Sequence, residues 1–288
     1  MGLGDWFKRT FGKQACAFCG AEVGMMKRTK IKNKEFICNE CARGCSEYIS
    51  LYRYTKDELL GHIEYMKRQN RIFTEVLDGH STSIVPLVGG DRAIEFYDDH
   101  GMFRIRDESV DRRKNAREPI RYDQIASYEP YLDESEPDEP GKPKEFGECG
   151  VKITLVGAMQ DESKMRKGTR PHPYITEEIE VCINDRDKEE GMRYVNSIIA
   201  HFDAIFGVHD DERGLFQFGL TTKQKRDAEA IGAMGGMFSA AIKAAKAGEV
   251  SAETEGEVLD AMNRIDDAQT GGLAVYSRRA DDAEMKIG

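Results

Sequence analysis

The chain has 288 residues, room for two or three small domains, and pairs 33% charged with 40% hydrophobic residues at a formal net charge of −10. That acidic balance disfavours wholesale nucleic-acid binding, and no apolar run reaches the roughly 18 residues of a membrane-spanning helix. Residues 1–13 lack the apolar core of a secretory signal, and Trp6 stands where a myristoylated Gly2 would need Ser or Thr, so a cytoplasmic location is expected.

The charge is unevenly placed: residues 1–34 carry eight Lys/Arg against two acids, whereas residues 133–148 carry seven acids against two lysines. At the start, Leu3, Phe7 and Phe11 with Trp6 beside them line one side of a short amphipathic segment, residues 1–13, whose other side carries Lys8, Arg9 and Lys13. It either rests on the cysteine module or stays loose, with an anionic membrane surface or a partner as the alternative. The module itself spans residues 14–52. In the connecting segment 53–83, Thr55-Lys-Asp-Glu58 has the form of a capping box, and Leu59, Ile63, Met66, Asn70, Phe73 and Leu77 form a seam expected to pack on the next domain.

From residue 84 the pattern turns to short strands. Residues 93–97 and 102–106 read as a hairpin around Asp98-Asp-His-Gly101, and further strands are expected over 118–130, 151–156 and 177–183. Residues 133–147, rich in Pro, Asp and Glu, read as a solvated loop. Met192, Val195, Ile199, Phe202 and Phe206 then mark a helix over 187–206. Strands closed by one amphipathic helix give an α+β layer over residues 84–208, in the element order of a pleckstrin-homology-like (PH-like) domain. A linker is expected at 209–220, a helical hairpin at 221–270 that could support homo-oligomers, and a flexible tail at 271–288.

The strongest signal is Cys16-Ala-Phe-Cys19 with Cys38-Asn-Glu-Cys41, two C-x2-C pairs separated by 18 residues, the spacing of a tetrahedral zinc site. Gly20 suits the turn after the first pair, residues 27–37 can form a hairpin around Asn33-Lys34, and the second pair opens a helix with Cys41, Cys45, Tyr48 and Tyr52 on one side. Turn, hairpin, turn and helix is the order of a treble-clef module. One structural Zn2+ per chain is expected at Cys16, Cys19, Cys38 and Cys41, its excess negative charge offset by Lys27, Arg28, Lys30, Lys32 and Lys34. Redox use lacks a βαβ context, and four cysteines leave no open position for catalysis. Cys45 reads as a small buried residue, and Cys149 and Cys182 fall on expected strand edges or interiors with no special role.

The segment Cys16 to Gly20 followed by Phe36-Ile-Cys-Asn-Glu-Cys41 and Cys45 resembles the N-terminal zinc-binding domain of the ClpX unfoldase, a dimerising treble-clef module that recruits substrates and adaptors. No G-x4-G-K-[ST] loop follows, so the resemblance implies no motor activity. Over roughly the first 200 residues the chain is similar to bacterial domain-of-unknown-function proteins that begin with Met-Gly-Leu and a four-cysteine module. That resemblance implies the metal site and no activity. Ala247 to Glu255 faintly resembles a C-terminal oligomerisation motif of bacterial multidomain proteins.

Six histidines, His62, His80, His100, His172, His201 and His209, form no H-E-x-x-H pair, and His172 between Pro171 and Pro173 reads as a turn residue. Asp98-Asp99 and Asp210-Asp211 fall in expected turns. With no nucleophile elbow, kinase or dinucleotide signature, the sequence reads as a non-catalytic zinc-binding adaptor or scaffold with an unidentified protein partner. The alternative is a membrane-peripheral protein that uses its basic N-terminus.

Overall fold

The computed structural model describes residues 12–88, 91–108, 117–135, 144–158, 167–175, 178–208, 259–260, 262–263 and 272–287. Mixed helix and antiparallel strand build it. The N-terminal part consists of two small hairpins, β1 (Gln14–Ala15) with β2 (Glu22–Val23), and β3 (Arg28–Lys30) with β4 (Phe36–Cys38), followed by the one-turn helix α1 (Asn39–Ala42). Asn33 and Lys34 turn the second hairpin at positive φ, 62° and 65°. The helix expected to align Cys41, Cys45, Tyr48 and Tyr52 ends after one turn, and Tyr52 is exposed.

Helix α2 (Lys56–Ile72) starts at the expected capping box: the Glu58 amide donates to Thr55 Oγ1 at 3.4 Å and the Thr55 amide donates to Glu58 Oε2 at 2.7 Å. It continues through one π-helical turn, Phe73–Leu77. Leu59, Met66, Phe73 and Leu77 of the seam are buried, and they pack within this chain.

Strands β5 (Ser83–Pro86), β6 (Arg92–Tyr97), β7 (Met102–Asp107) and β8 (Ile120–Arg121) form a four-stranded antiparallel meander in that order. Ile94 pairs with Ile105 and Phe96 with Phe103, around a turn closed by Gly101 at φ 61°. The strand expected over 118–130 is broken by a 3-10 turn at Tyr122–Gln124, after which the chain enters a second sheet, ordered β11-β10-β9. Its strands are β9 (Ile125–Ser135), β10 (Glu145–Leu155) and β11 (Ile179–Asn184). β9 and β10 run well into the stretch expected to be loop: Asp133 pairs with Glu148 and Ser135 with Glu145. Cross-strand hydrogen bonding extends the hairpin there despite the acidic composition.

Helix α3 (Lys188–Phe206) is capped by Asp187, whose carboxylate accepts from the Glu190 amide at 2.9 Å. It packs on both sheets through Val195, Ile198, Phe202, Ile205 and Phe206, and the Phe202 ring lies 5.5 Å from Phe96 and 5.0 Å from Tyr128. Each such side chain contributes about 2 kcal/mol by burial. The expected flexible tail is a correction: Leu273–Met285 is helix α4, docked with Leu273, Ala280 and Ala283 fully buried. Ala280 and Ala283 join Ile72, Phe73, Val76, Leu77, Tyr97 and Met102 in one cluster, whereas Leu273 belongs to the larger core with Phe202 and Phe206. The linker 209–220 and the helical hairpin 221–270 lie outside the described residues, except Leu259, Asp260, Met262 and Asn263, which are helical. The N-terminal segment lies outside them up to residue 11.

Candidate metal centre

Each cysteine reaches the cluster by a different local device. Cys16 follows β1, and the Gly20 amide donates to its carbonyl at 2.9 Å with Gly20 at φ 73°, so the turn returns Cys19 toward Cys16. Ala17 donates to the Phe36 carbonyl at 2.8 Å, which ties this turn to β4. Cys38 ends β4 and caps α1, its Sγ accepting from the Cys41 amide at 3.4 Å; that cap places Cys41 one helical turn away. The Cys38 amide in turn donates to Cys16 Sγ at 3.3 Å.

All four Sγ atoms lie within 4.8 Å of one another, and both Cys16–Cys41 and Cys19–Cys38 are separated by 3.8 Å. A tetrahedron with metal–sulfur arms of about 2.3 Å has edges of about 3.8 Å, whereas a disulfide brings sulfurs to about 2.05 Å. The thiols are free, with Cys16 and Cys38 buried, Cys41 half-buried and Cys19 exposed. Burial pushes the Cys16 thiol up, but the amides of Cys19, Cys38 and Phe18 outweigh it and bring the thiol down to about 6. Burial and the other three sulfurs push Cys41 up. Backbone amides aimed at sulfur favour thiolate, the form that binds metal. The sequence-expected residues thus converge as a four-cysteine cluster that could hold a metal ion.

Of the remaining cysteines, Cys45 is buried and burial pushes its thiol up to about 11. Cys149 and Cys182 lie on β10 and β11, and burial raises both thiols. Arg28 donates to the Gly12 carbonyl at 2.7 Å and lies over the Phe36 ring.

A second cluster, which the sequence did not reveal, joins the cysteine module to the rest. The Ser46 amide donates to His62 Nε2 at 3.0 Å, and Tyr54 Oη donates to the Tyr174 carbonyl at 2.7 Å. His172 Nδ1 accepts from the amides of Tyr174 and Ile175, so in the neutral ring its proton sits on Nε2, 2.9 Å from Tyr65 Oη. Glu118 Oε1 lies 3.7 Å from that same Nε2. Among the described residues neither Glu118 oxygen meets a donor in hydrogen-bond geometry, and burial pushes its carboxyl up to about 7, against the pull of Ser46 and Tyr65. Burial drives His62 down to about 4 and His172 down to about 3, so both rings are neutral at neutral pH. His172 therefore pins a turn, as its flanking prolines suggested. His62 and Glu118 gave no sequence signal, because a helical His and a charged residue beside a proline look like solvent-facing positions.

The other described histidines meet neighbours within the scaffold. His201 lies 3.0 Å from Asp98 Oδ1 and stacks on Phe96, and Tyr122 Oη donates to the same carboxylate at 2.7 Å. His80 and His100 approach edge to face, and His209 lies outside the described residues. Among the described residues no helix is long and apolar enough to cross a membrane.

Residues 14–62 match a family described as a domain of unknown function, DUF4428. No curated protein and no solved structure matches the chain. The matched segment begins at β1 and ends in α2 at His62, so it contains all four clustered cysteines and the Ser46–His62 contact.

Proposed function

We propose that this chain is a non-catalytic zinc-binding adaptor or scaffold whose four-cysteine module, a treble clef holding one structural Zn2+, is fixed to a PH-like domain and presents a surface to a protein partner. The observation that carries the reading is the 3.8 Å sulfur–sulfur spacing, which suits tetrahedral zinc with all four positions filled by thiolate. Zinc in such a site contributes folding free energy, on the order of 10 kcal/mol or more, and leaves no position for a reacting water. The knuckle, hairpin and α1 support the treble-clef assignment; the four-plus-three antiparallel strands β5–β11 capped by α3 support the PH-like one. Free thiols fit a reducing, cytoplasmic location.

Elemental analysis of the purified full chain should find one zinc per chain, lost in Cys38→Ser. Replacement by Co2+ should give a tetrahedral thiolate spectrum that azide leaves unchanged. A spectrum that shifts with azide reveals an open coordination position and overturns the structural reading; iron, or no metal in a folded module, overturns the zinc assignment.

A further inference from the structure

The turn between the two cysteine pairs leaves apolar side chains exposed among the described residues. Met25–Lys27 is a single 3-10 turn with no buried residue; Met26 is 85% exposed and Met25 43%. Most exposed apolar residues on a folded chain occur singly, whereas these are adjacent and carried on a turn between the two cysteine pairs. Lysines flank them along the chain. Lys27 completes the turn with its amide on the Gly24 carbonyl, and the Gln14–Val23 pairing brings Lys13 alongside Gly24. Lys30 and Lys34 follow on β3 and the hairpin turn.

Lys13, Lys27, Lys30 and Lys34 are all exposed, and none has an ion pair among the described residues. Glu22 and Glu35 are the acids between residues 12 and 38. A cationic, apolar-tipped face on a chain of net charge −10 is a concentration of one sign that the rest of the molecule does not share.

Charge decides among occupants. Residues 1–11 leave the module at Gly12, where Arg28 holds the chain, but they carry Lys8 and Arg9 against Asp5 and would bring like charge onto the lysines. A nucleic acid would satisfy the lysines and offer only phosphate and base edges to two exposed methionines. An anionic bilayer satisfies both halves: headgroups attract lysine, and methionine, unbranched and pliable, enters the acyl boundary without a shaped pocket. We infer that the Met25–Met26 turn with Lys13, Lys27, Lys30 and Lys34 is a docking surface for an anionic lipid membrane. The inference deepens the peripheral-membrane alternative by placing contact on the cysteine module, and it rests on the adaptor reading only through the metal-held fold of that module.

The test is co-sedimentation of the full chain with phosphatidylcholine vesicles, with and without phosphatidylserine. Binding is expected to the phosphatidylserine-containing vesicles, to weaken with salt, and to be lost on phosphatidylcholine alone. Met25→Ser/Met26→Ser should lower binding several-fold, and Lys27→Gln/Lys30→Gln by about 25-fold, at about five-fold per lysine. Both variants should retain the metal content and unfolding midpoint of the parent, which separates loss of the surface from loss of the module. Cys38→Ser should lose metal and binding together. Undiminished binding of the methionine and lysine variants, with loss only in Trp6→Ser/Phe7→Ser, overturns the inference in favour of the N-terminal segment alone. No vesicle binding overturns it as well, and salt-sensitive self-association in that case assigns the lysine face to a second copy of the chain.

Discussion

Replacing Glu118 with Gln should make the protein more stable, and only in one range of pH. Glu118 is packed among Ser46, Glu47 and Tyr48 of the cysteine module, Tyr65 of α2 and His172, with Arg92 near Tyr48. Its carboxyl holds a proton in the folded chain up to about 7, against 4.5 for the ordinary carboxyl. Between those values the native state binds a proton that the unfolded chain has released, so this group makes stability fall as pH rises, by about 3 kcal/mol across the window. The histidines act oppositely. His62 and His172 stay neutral in the fold down to about 4 and about 3, so below the ordinary imidazole value the unfolded chain binds protons that the native one does not, and stability falls on acidification. The raw profile mixes both, but the difference between parent and Glu118→Gln isolates the carboxyl. Urea unfolding at saturating zinc should show the variant ahead by less than about 1 kcal/mol near about pH 5 and by up to about 3 kcal/mol near about pH 8. A difference that stays flat across that range refutes the argument, because it means the carboxyl titrates alike in the two states.

Three further outcomes follow from the packing around α4 and the sheets. A Cβ on Gly101 would lie 1.9 Å from the Tyr276 carbonyl oxygen, at φ 61°, so Gly101→Val should undock α4 and open Arg278 and Arg279 to trypsin at a cost of roughly 3 kcal/mol. Asp281 bonds Arg121 at 2.8 Å and Arg170 at 2.9 Å; burial raises its carboxyl but the two arginines outweigh it, so Asp281→Asn should cost about 1 kcal/mol, less at high salt. Because that carboxyl titrates below its ordinary value, its contribution is present at neutral pH and lost as pH falls through the lowered value, and the urea-unfolding midpoints of variant and parent should converge in acid. Arg104, with a side chain only 4% exposed, bonds Glu95 at 2.7 Å and lies over the Phe73 ring, so Arg104→Ala should cost roughly 3 kcal/mol in urea unfolding by leaving a buried carboxylate short of a partner.

What the sequence disclosed follows the range of the interactions involved. The Cys16–Cys41 cluster, the Thr55 capping box and the Asp98–Gly101 hairpin turn rest on contacts within a few residues or on a fixed ligand spacing, and such signals survive in linear order. The docked α4 is different. Its Arg278-Arg-Ala-Asp-Asp-Ala-Glu284 stretch is polar and looks solvated, yet Ala280 and Ala283 are buried because a glycine 179 residues earlier than Ala280 admits the helix backbone, and its acids meet Arg121 and Arg170. Nothing local encodes that match. The acidic 133–147 stretch misleads for the converse reason, since composition reports solvation while β9 and β10 are held by a ladder that tolerates charge on its outer face.

The shared core changes what removal of the metal should do. Cys16, Ile31, Ile37, Cys38, Cys45 and Ile49 belong to the same buried cluster as Leu59, Val85, Ile94, Phe96 and Phe202, so the cysteine module has no core of its own apart from the β-sheets and α3. The Lys32 amide donates to the Tyr54 carbonyl, Tyr54 to Tyr174, and Ser46 to His62, so polar ties cross the same boundary. A module that folded alone would melt separately when stripped, leaving the sheets intact. Here the cysteines that could hold a metal are packed against residues that hold the sheets, and opening one side exposes apolar surface on the other. Chelation should therefore lower the single unfolding midpoint of the described core. Any adaptor surface on the module is then coupled to the β-domain mechanically, since neither can rearrange without disturbing the packing they have in common.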